Sequence, residues 1–134
     1  MKVFHGAEKI VLVLETGKLG GLFPADALAS LGYEKTRVEG IFEAIDRLER
    51  GAHALVLCTP RLSASDIVFL AELHATAPET ALLVAAAAWS DGDAASARAV
   101  GSTALLEWPI ELEALRVALA ARAAPGVSLL IRRH

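Results

Sequence analysis

The chain of 134 residues has one cysteine, Cys58, so no disulfide can close within it. That fits a reducing compartment, and a cytoplasmic location is expected. Aromatic residues are scarce, at 5%, although 54% of the chain is hydrophobic. Alanine makes up much of the difference, which implies close-packed helices and sheet. Long apolar runs are also missing. The longest stretch without a charge is residues 80–90, far short of the ~20 residues of a membrane span. Residues 1–9 hold no apolar segment or cleavage-like site, so no secretory signal is read there. Basic residues are not in excess: 13 Lys and Arg against 16 Asp and Glu give a formal charge of −3. Neither a membrane nor nucleic acid is therefore expected as a partner.

Several catalytic signatures are absent too. His5, His53, His74 and His134 share no metal-ligand spacing. No serine lies in a nucleophile elbow, and no Gly-rich fingerprint follows the first apolar run. Gly17-Lys18 is not a phosphate loop, since Leu12 stands where the earlier glycine belongs and Leu19 follows the lysine. No catalytic residue, metal or cofactor is assigned, and no internal repeat or linker divides the chain. The length suits one domain.

What is present is an alternation of apolar runs and amphipathic stretches. Residues 10–14 (IVLVL), 54–58 (ALVLC) and 81–88 (ALLVAAAA) lack polar alternation, as strands covered by helices on both faces do. Residues 35–38 and 103–107 are weaker strand candidates. Residues 41–50 put Ile41, Ala44, Ile45 and Leu48 on one helical face, and Glu43, Asp46, Arg47 and Glu49 on the other. Residues 65–76 do the same with Ile67, Leu70, Ala71 and His74 inward. Ser63 with Asp66, and Ser90 with Asp93, read as N-terminal caps. Gly32, Gly51 and Gly101 mark helix ends. Pro24 opens a first helix over 24–31, behind a glycine-rich approach at 17–21. A fourth helix is read at 93–100 and a last at 111–122. Five β-α units in succession give a doubly wound α/β fold, a parallel sheet with right-handed crossovers. The core spans about residues 9–123. The apolar tail at 127–131 falls outside the pattern, as a docked segment or a frayed end.

In such folds ligands gather at the carboxyl ends of the strands, here Glu15-Thr16, Cys58-Thr59-Pro60, residues 86–90 and Trp108-Pro109. With Leu31-Gly32-Tyr33 closing the first helix, and Gly101 followed by Trp108-Pro109, the chain resembles the receiver domains of bacterial two-component response regulators. The resemblance implies the flavodoxin-like (βα)5 receiver fold, a parallel five-stranded sheet in the order 2-1-3-4-5. It also implies a phosphorylation switch, yet the positions that would run it differ. The two acids that hold magnesium after the first strand fall at Glu15 and Thr16. The phosphoacceptor aspartate falls at Cys58. The hydroxyl residue after the fourth strand falls at Ala86 or Ala87. The lysine before the proline falls at Trp108, with Pro109 kept, and the aromatic switch residue falls at Leu105.

A thiol cannot form an acyl phosphate, which needs a carboxylate oxygen as nucleophile. One carboxylate beside a threonine is a poor magnesium site. Without the lysine and hydroxyl, phosphoryl charge has no partner. The reading is a degenerate receiver, or pseudoreceiver, acting by protein–protein recognition and not as an enzyme. The resemblance also implies a contact surface on the fourth helix, fifth strand and fifth helix, with Ala94, Ala97, Arg98, Leu105, Glu113 and Arg116 as candidates and a homodimer as one use of it. Three alternatives stand beside this: a cation held by Glu15, Asp91 and Asp93, oxidation of Cys58, or a small ligand bound on the same fold. For Cys58 the bland reading is an apolar filler at a strand end; for Asp91 and Asp93, service to a helix cap; for Trp89 and Trp108, packing at the rim.

Overall fold

The computed structural model describes residues 10–16 and 23–120, and the backbone of 129–131. Strands β1 (Ile10–Glu15), β2 (Glu34–Arg37), β3 (Ala54–Cys58), β4 (Ala81–Ala86), β5 (Ala104–Glu107) and β6 (Leu129–Ile131) alternate with helices α1 (Ala25–Ser30), α2 (Ile41–Glu49), α3 (Ala64–Thr76), α4 (Asp91–Ala99) and α5 (Leu112–Ala120). The strands lie parallel in the order β2-β1-β3-β4-β5-β6. The expected order 2-1-3-4-5 is therefore present. The tail adds a sixth strand beyond it: Leu129, Leu130 and Ile131 pair with Ala104, Leu105 and Leu106. The glycine-rich approach at 17–21 lies outside the described residues.

Strands without polar alternation need cover on both faces, and they have it. Val11, Val13, Val56, Leu83 and Leu106 meet Leu28 of α1 and Leu115, Ala118 and Leu119 of α5 on one side. Their sequence neighbours Leu12, Leu55, Leu57, Leu82, Val84 and Leu105 meet α2, α3 and α4 on the other. This is the period-two alternation of a strand turned into two cores. Each fully buried leucine contributes about 1.5–3 kcal/mol relative to an exposed one.

The helices follow the same logic, with two differences from the sequence reading. On α2, Ala44 and Leu48 are buried and Ile41 and Ile45 pack at the margin, as the spacing predicts. On α3 the inward stripe is Asp66, Leu70 and Leu73, and Ala71 faces solvent. Asp66 is buried because it belongs to the cap. Its backbone N–H donates to Ser63 Oγ at 3.2 Å while its carboxylate accepts from the Ser63 N–H at 2.9 Å. Such a reciprocal cap contributes about 1 kcal/mol. Ser90 caps α4 through the Asp93 N–H at 3.0 Å, so α4 begins at Asp91 and β4 stops at Ala86, two residues short of the apolar run.

Candidate functional site

Parallel register gathers the strand ends into one row. Glu15 lies opposite Cys58, Cys58 opposite Ala85, and Ala86 opposite Glu107. The backbone ties the row together just past the strands. The Thr16 N–H donates to the Cys58 carbonyl at 2.8 Å and its hydroxyl reaches the same oxygen at 3.3 Å. The Thr59 N–H donates to Ala85, and the Trp108 N–H to Ala86, both at 2.9 Å. Glu15, Thr16, Cys58, Ala86 and Trp108 therefore share one edge, as the sequence reading requires. Pro109 follows Trp108 through a cis peptide bond and is exposed.

The chemistry of this row is poor in reactive groups. Cys58 is fully buried in the core that α1 and α5 cover. Burial pushes its thiol far above the ordinary value, the Glu15 carboxylate opposite pushes it further, and Lys35 offsets this only in part. The thiol is thus protonated and enclosed, which removes the thiolate that oxidation and alkylation need. Glu15 accepts the Phe23 N–H at 3.4 Å, and Lys35 Nζ stands 5.9 Å above the Phe23 ring. Ala86 is fully buried and offers no hydroxyl. Among the described residues no three His, Cys, Asp or Glu side chains are grouped so as to hold a metal ion, so Glu15, Asp91 and Asp93 do not form the cation site weighed from sequence. Asp93 serves the cap.

The folded thiol has a consequence in alkali. Its folded pKa lies above the unfolded value, so its contribution is fully present below the ordinary 9.0 and is lost as pH rises beyond it. The unfolded chain there releases a proton that the folded chain keeps. Stability should fall by up to ~1.4 kcal/mol per pH unit above that point relative to a Cys58→Ala variant. Urea melts of both proteins from pH 8 to 10 measure it, and parallel curves would refute it.

The two tryptophans serve different faces. Trp108 packs half-buried on the α1 and α5 side, and its Nε1 is enclosed without a hydrogen-bond partner. Trp89 is buried on the α2, α3 and α4 side, where its Nε1–H donates to the Leu106 carbonyl at 2.8 Å. An indole thus stands where the resemblance places a lysine.

The contact residues read from sequence divide sharply. Arg98, Glu113 and Arg116 are exposed, and Arg116 pairs with Glu113 one turn earlier on α5. Ala94, Ala97 and Leu105 are buried and so are corrected: they cannot meet a partner. The two alanines are the inward face of α4, where their small size brings the helix onto its own sheet. Leu105 lies in a strand flanked by β4 and β6. For the same reason β5 is not the sheet's edge. The reading overlooked Phe42, which is 86% exposed. Its signal was present, since position 42 falls on the charged face of α2.

No protein-family model matches the chain, and no curated protein matches it. Solved structures do. A protein of Burkholderia pseudomallei named as related to pilus assembly superposes with a TM-score of 0.73 at 21% identity, over 92% of this chain and 98% of that one. A response regulator of Thermotoga maritima gives 0.70 at 16%, over 83% and 93%. The receiver domain of a Pseudomonas aeruginosa sensor histidine kinase gives 0.65 at 23%, also over 83% and 93%. The fold is that of a receiver domain. In the Pseudomonas receiver domain a magnesium ion is coordinated in the active-site cleft. In the receiver fold of this chain the corresponding strand ends present a buried thiol, an alanine and an indole.

Proposed function

We propose that this chain is a pseudoreceiver, a cytoplasmic protein-binding module of bacterial signalling or regulation whose state is not set by phosphorylation. The observation that carries the reading is Cys58: a fully buried thiol at the end of β3, on the strand position that the resemblance gives to the phosphoacceptor. A thiol there cannot form an acyl phosphate. Trp108 and Ala86 support the same conclusion, since neither supplies charge or a hydroxyl to a phosphoryl group. The module has no catalytic role in this reading, and its partner is another protein. Phe42, exposed in the first turn of α2, is one contact such a partner would cover. The likeness to the pilus assembly-related protein covers 92% of this chain, against 83% for the response regulator.

The test is a titration with magnesium and beryllofluoride, a phosphoryl mimic, followed by tryptophan fluorescence. Trp108 borders the cleft the mimic would fill, and the expected result is no change up to millimolar ligand. A saturable change would mean that the cleft still takes a phosphoryl group, and a switch would replace the module.

A further inference from the structure

Strand β6 is held less extensively than the other five. Neighbours among β1 to β5 pair over four or five positions, whereas β6 meets β5 over three, with Leu129, Leu130 and Ile131 opposite Ala104, Leu105 and Leu106. It is shorter than the usual strand of about 5–6 residues, and β5 is its one neighbour among the described residues. The side chains of β5 are covered from the helix layers. Leu105 lies in the core with α2, α3 and α4, and Ala104 and Leu106 lie in the core with α1 and α5. To β5 the sixth strand supplies partners for the backbone, and without them the N–H and C=O groups on that side of residues 104–106 form a bare edge. The opposite edge, β2, carries Glu34, Lys35 and Arg37, charges that discourage a further strand. The edge of β5 at 104–106 carries none.

We infer that the edge of β5 is the recognition surface for an extended apolar segment of a partner protein, and that residues 129–131 are the resident occupant this segment displaces. Main-chain hydrogen bonds to a sheet edge are a general way to bind an extended peptide. The occupant shows the chemistry the edge accepts: Leu-Leu-Ile, without charge or proline, running parallel to β5. It is also a tethered competitor, since α5 ends at Ala120 and β6 begins at Leu129. A short tether holds its segment at an effective concentration on the order of millimolar, so the edge is closed until a better strand takes it. The inference rests on the protein-binding reading above and names the class of partner.

Backbone hydrogen exchange of the full chain, read residue by residue, tests whether the occupant lets go. The amides of 129–131 that pair with β5 should exchange at least tenfold faster than those of β3, through an opening that leaves the rest of the fold intact. Equal protection would mean that β6 opens only with the whole protein, and would overturn the inference. The second measurement uses a fluorescent peptide of residues 127–134 as the incoming strand. A full-length variant with proline at 129, 130 and 131 offers β5 no N–H donors. It should still melt cooperatively and should bind the peptide about tenfold more tightly than the unaltered chain, whose own tail competes. The same peptide with prolines at those three positions should not bind. A variant that no longer melts cooperatively, equal affinity for both proteins, or equal binding of the proline peptide would each overturn the inference. Such a failure with no response to beryllofluoride removes the strand edge and leaves the protein-binding reading. A saturable response to beryllofluoride removes that reading itself.

Discussion

Gly101→Ala is expected to destabilise the protein by about 2–5 kcal/mol, the sum of a backbone cost and a collision. Gly101 follows α4 with φ +98°, in the left-handed half of backbone space, where a Cβ costs about 1–2 kcal/mol. The site is also filled. A Cβ built on Gly101 would lie 2.5 Å from both Cγ and Nδ1 of His74, in the last turn of α3, and rearranging a packed neighbour costs about 1–3 kcal/mol. The clash is with the ring root as well as its edge, since Cγ is among the atoms met, so the side chain must turn as a whole to relieve it. Gly32 shares a positive φ, but nothing lies within 4 Å of its Cβ position, so Gly32→Ala should show the backbone cost alone.

A double-mutant cycle separates the two causes. His74→Ala should recover the collision in Gly101→Ala and leave the backbone cost, giving a coupling of about 1–3 kcal/mol. The same His74→Ala change should show no coupling to Gly32→Ala. Denaturant melts of the variants measure this. Equal costs at Gly32 and Gly101, with no coupling to His74, would mean that the α3–α4 contact is looser than the structure has it.

That contact also marks where the sequence stopped being informative. Gly101 is legible as a helix stop because a left-handed residue closes α4, but nothing local says that the ring of His74 stands over it. Strands β3 and β4 were legible because a run buried on both faces carries no polar residue. Helix α2 was legible because its charges and aliphatics separate at helical spacing. In α4 that separation fails: Ala94 and Ala97 are inside, Ala95 and Ala99 outside, and a helix of small residues gives no sign of which face is buried. Taking its alanines for a contact surface followed from that. Strand β6 was missed because three apolar residues near a chain end have too little pattern to distinguish a strand from a tail. Its backbone pairs with β5, which makes β5 an inner strand, while the Leu105 side chain is buried in the core under α2, α3 and α4. Of the candidate site, the residue types at the strand ends could be read directly. Their burial could not, and for Cys58 burial decides the chemistry.

Cys58→Asp, which restores the residue type that the resemblance implies, is expected to cost about 3–5 kcal/mol and to create no phosphoacceptor. The position is fully buried, lies in register with Glu15, and is surrounded by the apolar core of β1, β3 and α5. A carboxylate there loses its hydration and meets a like charge, a cost of several kcal/mol when no partner neutralises it. The group escapes by staying protonated, so its folded pKa rises above the unfolded ~3.9. A raised folded pKa means that the loss is smallest below the unfolded value and grows as pH climbs through and beyond it. Cys58→Asp should therefore be closer to wild type at pH 4 than at pH 8. Cys58→Asn, of the same shape and without charge, should show a difference from wild type that changes little over that range. Incubated with acetyl phosphate and magnesium, Cys58→Asp should show no phosphoryl mass increment, because Trp108 and Ala86 offer the developing charge nothing to bind. An increment would mean that a single aspartate suffices for phosphorylation at this edge, and that Trp108 and Ala86 do not prevent it. A Cys58→Asp variant as stable as wild type at pH 8 would mean that the end of β3 is wetter than its burial indicates.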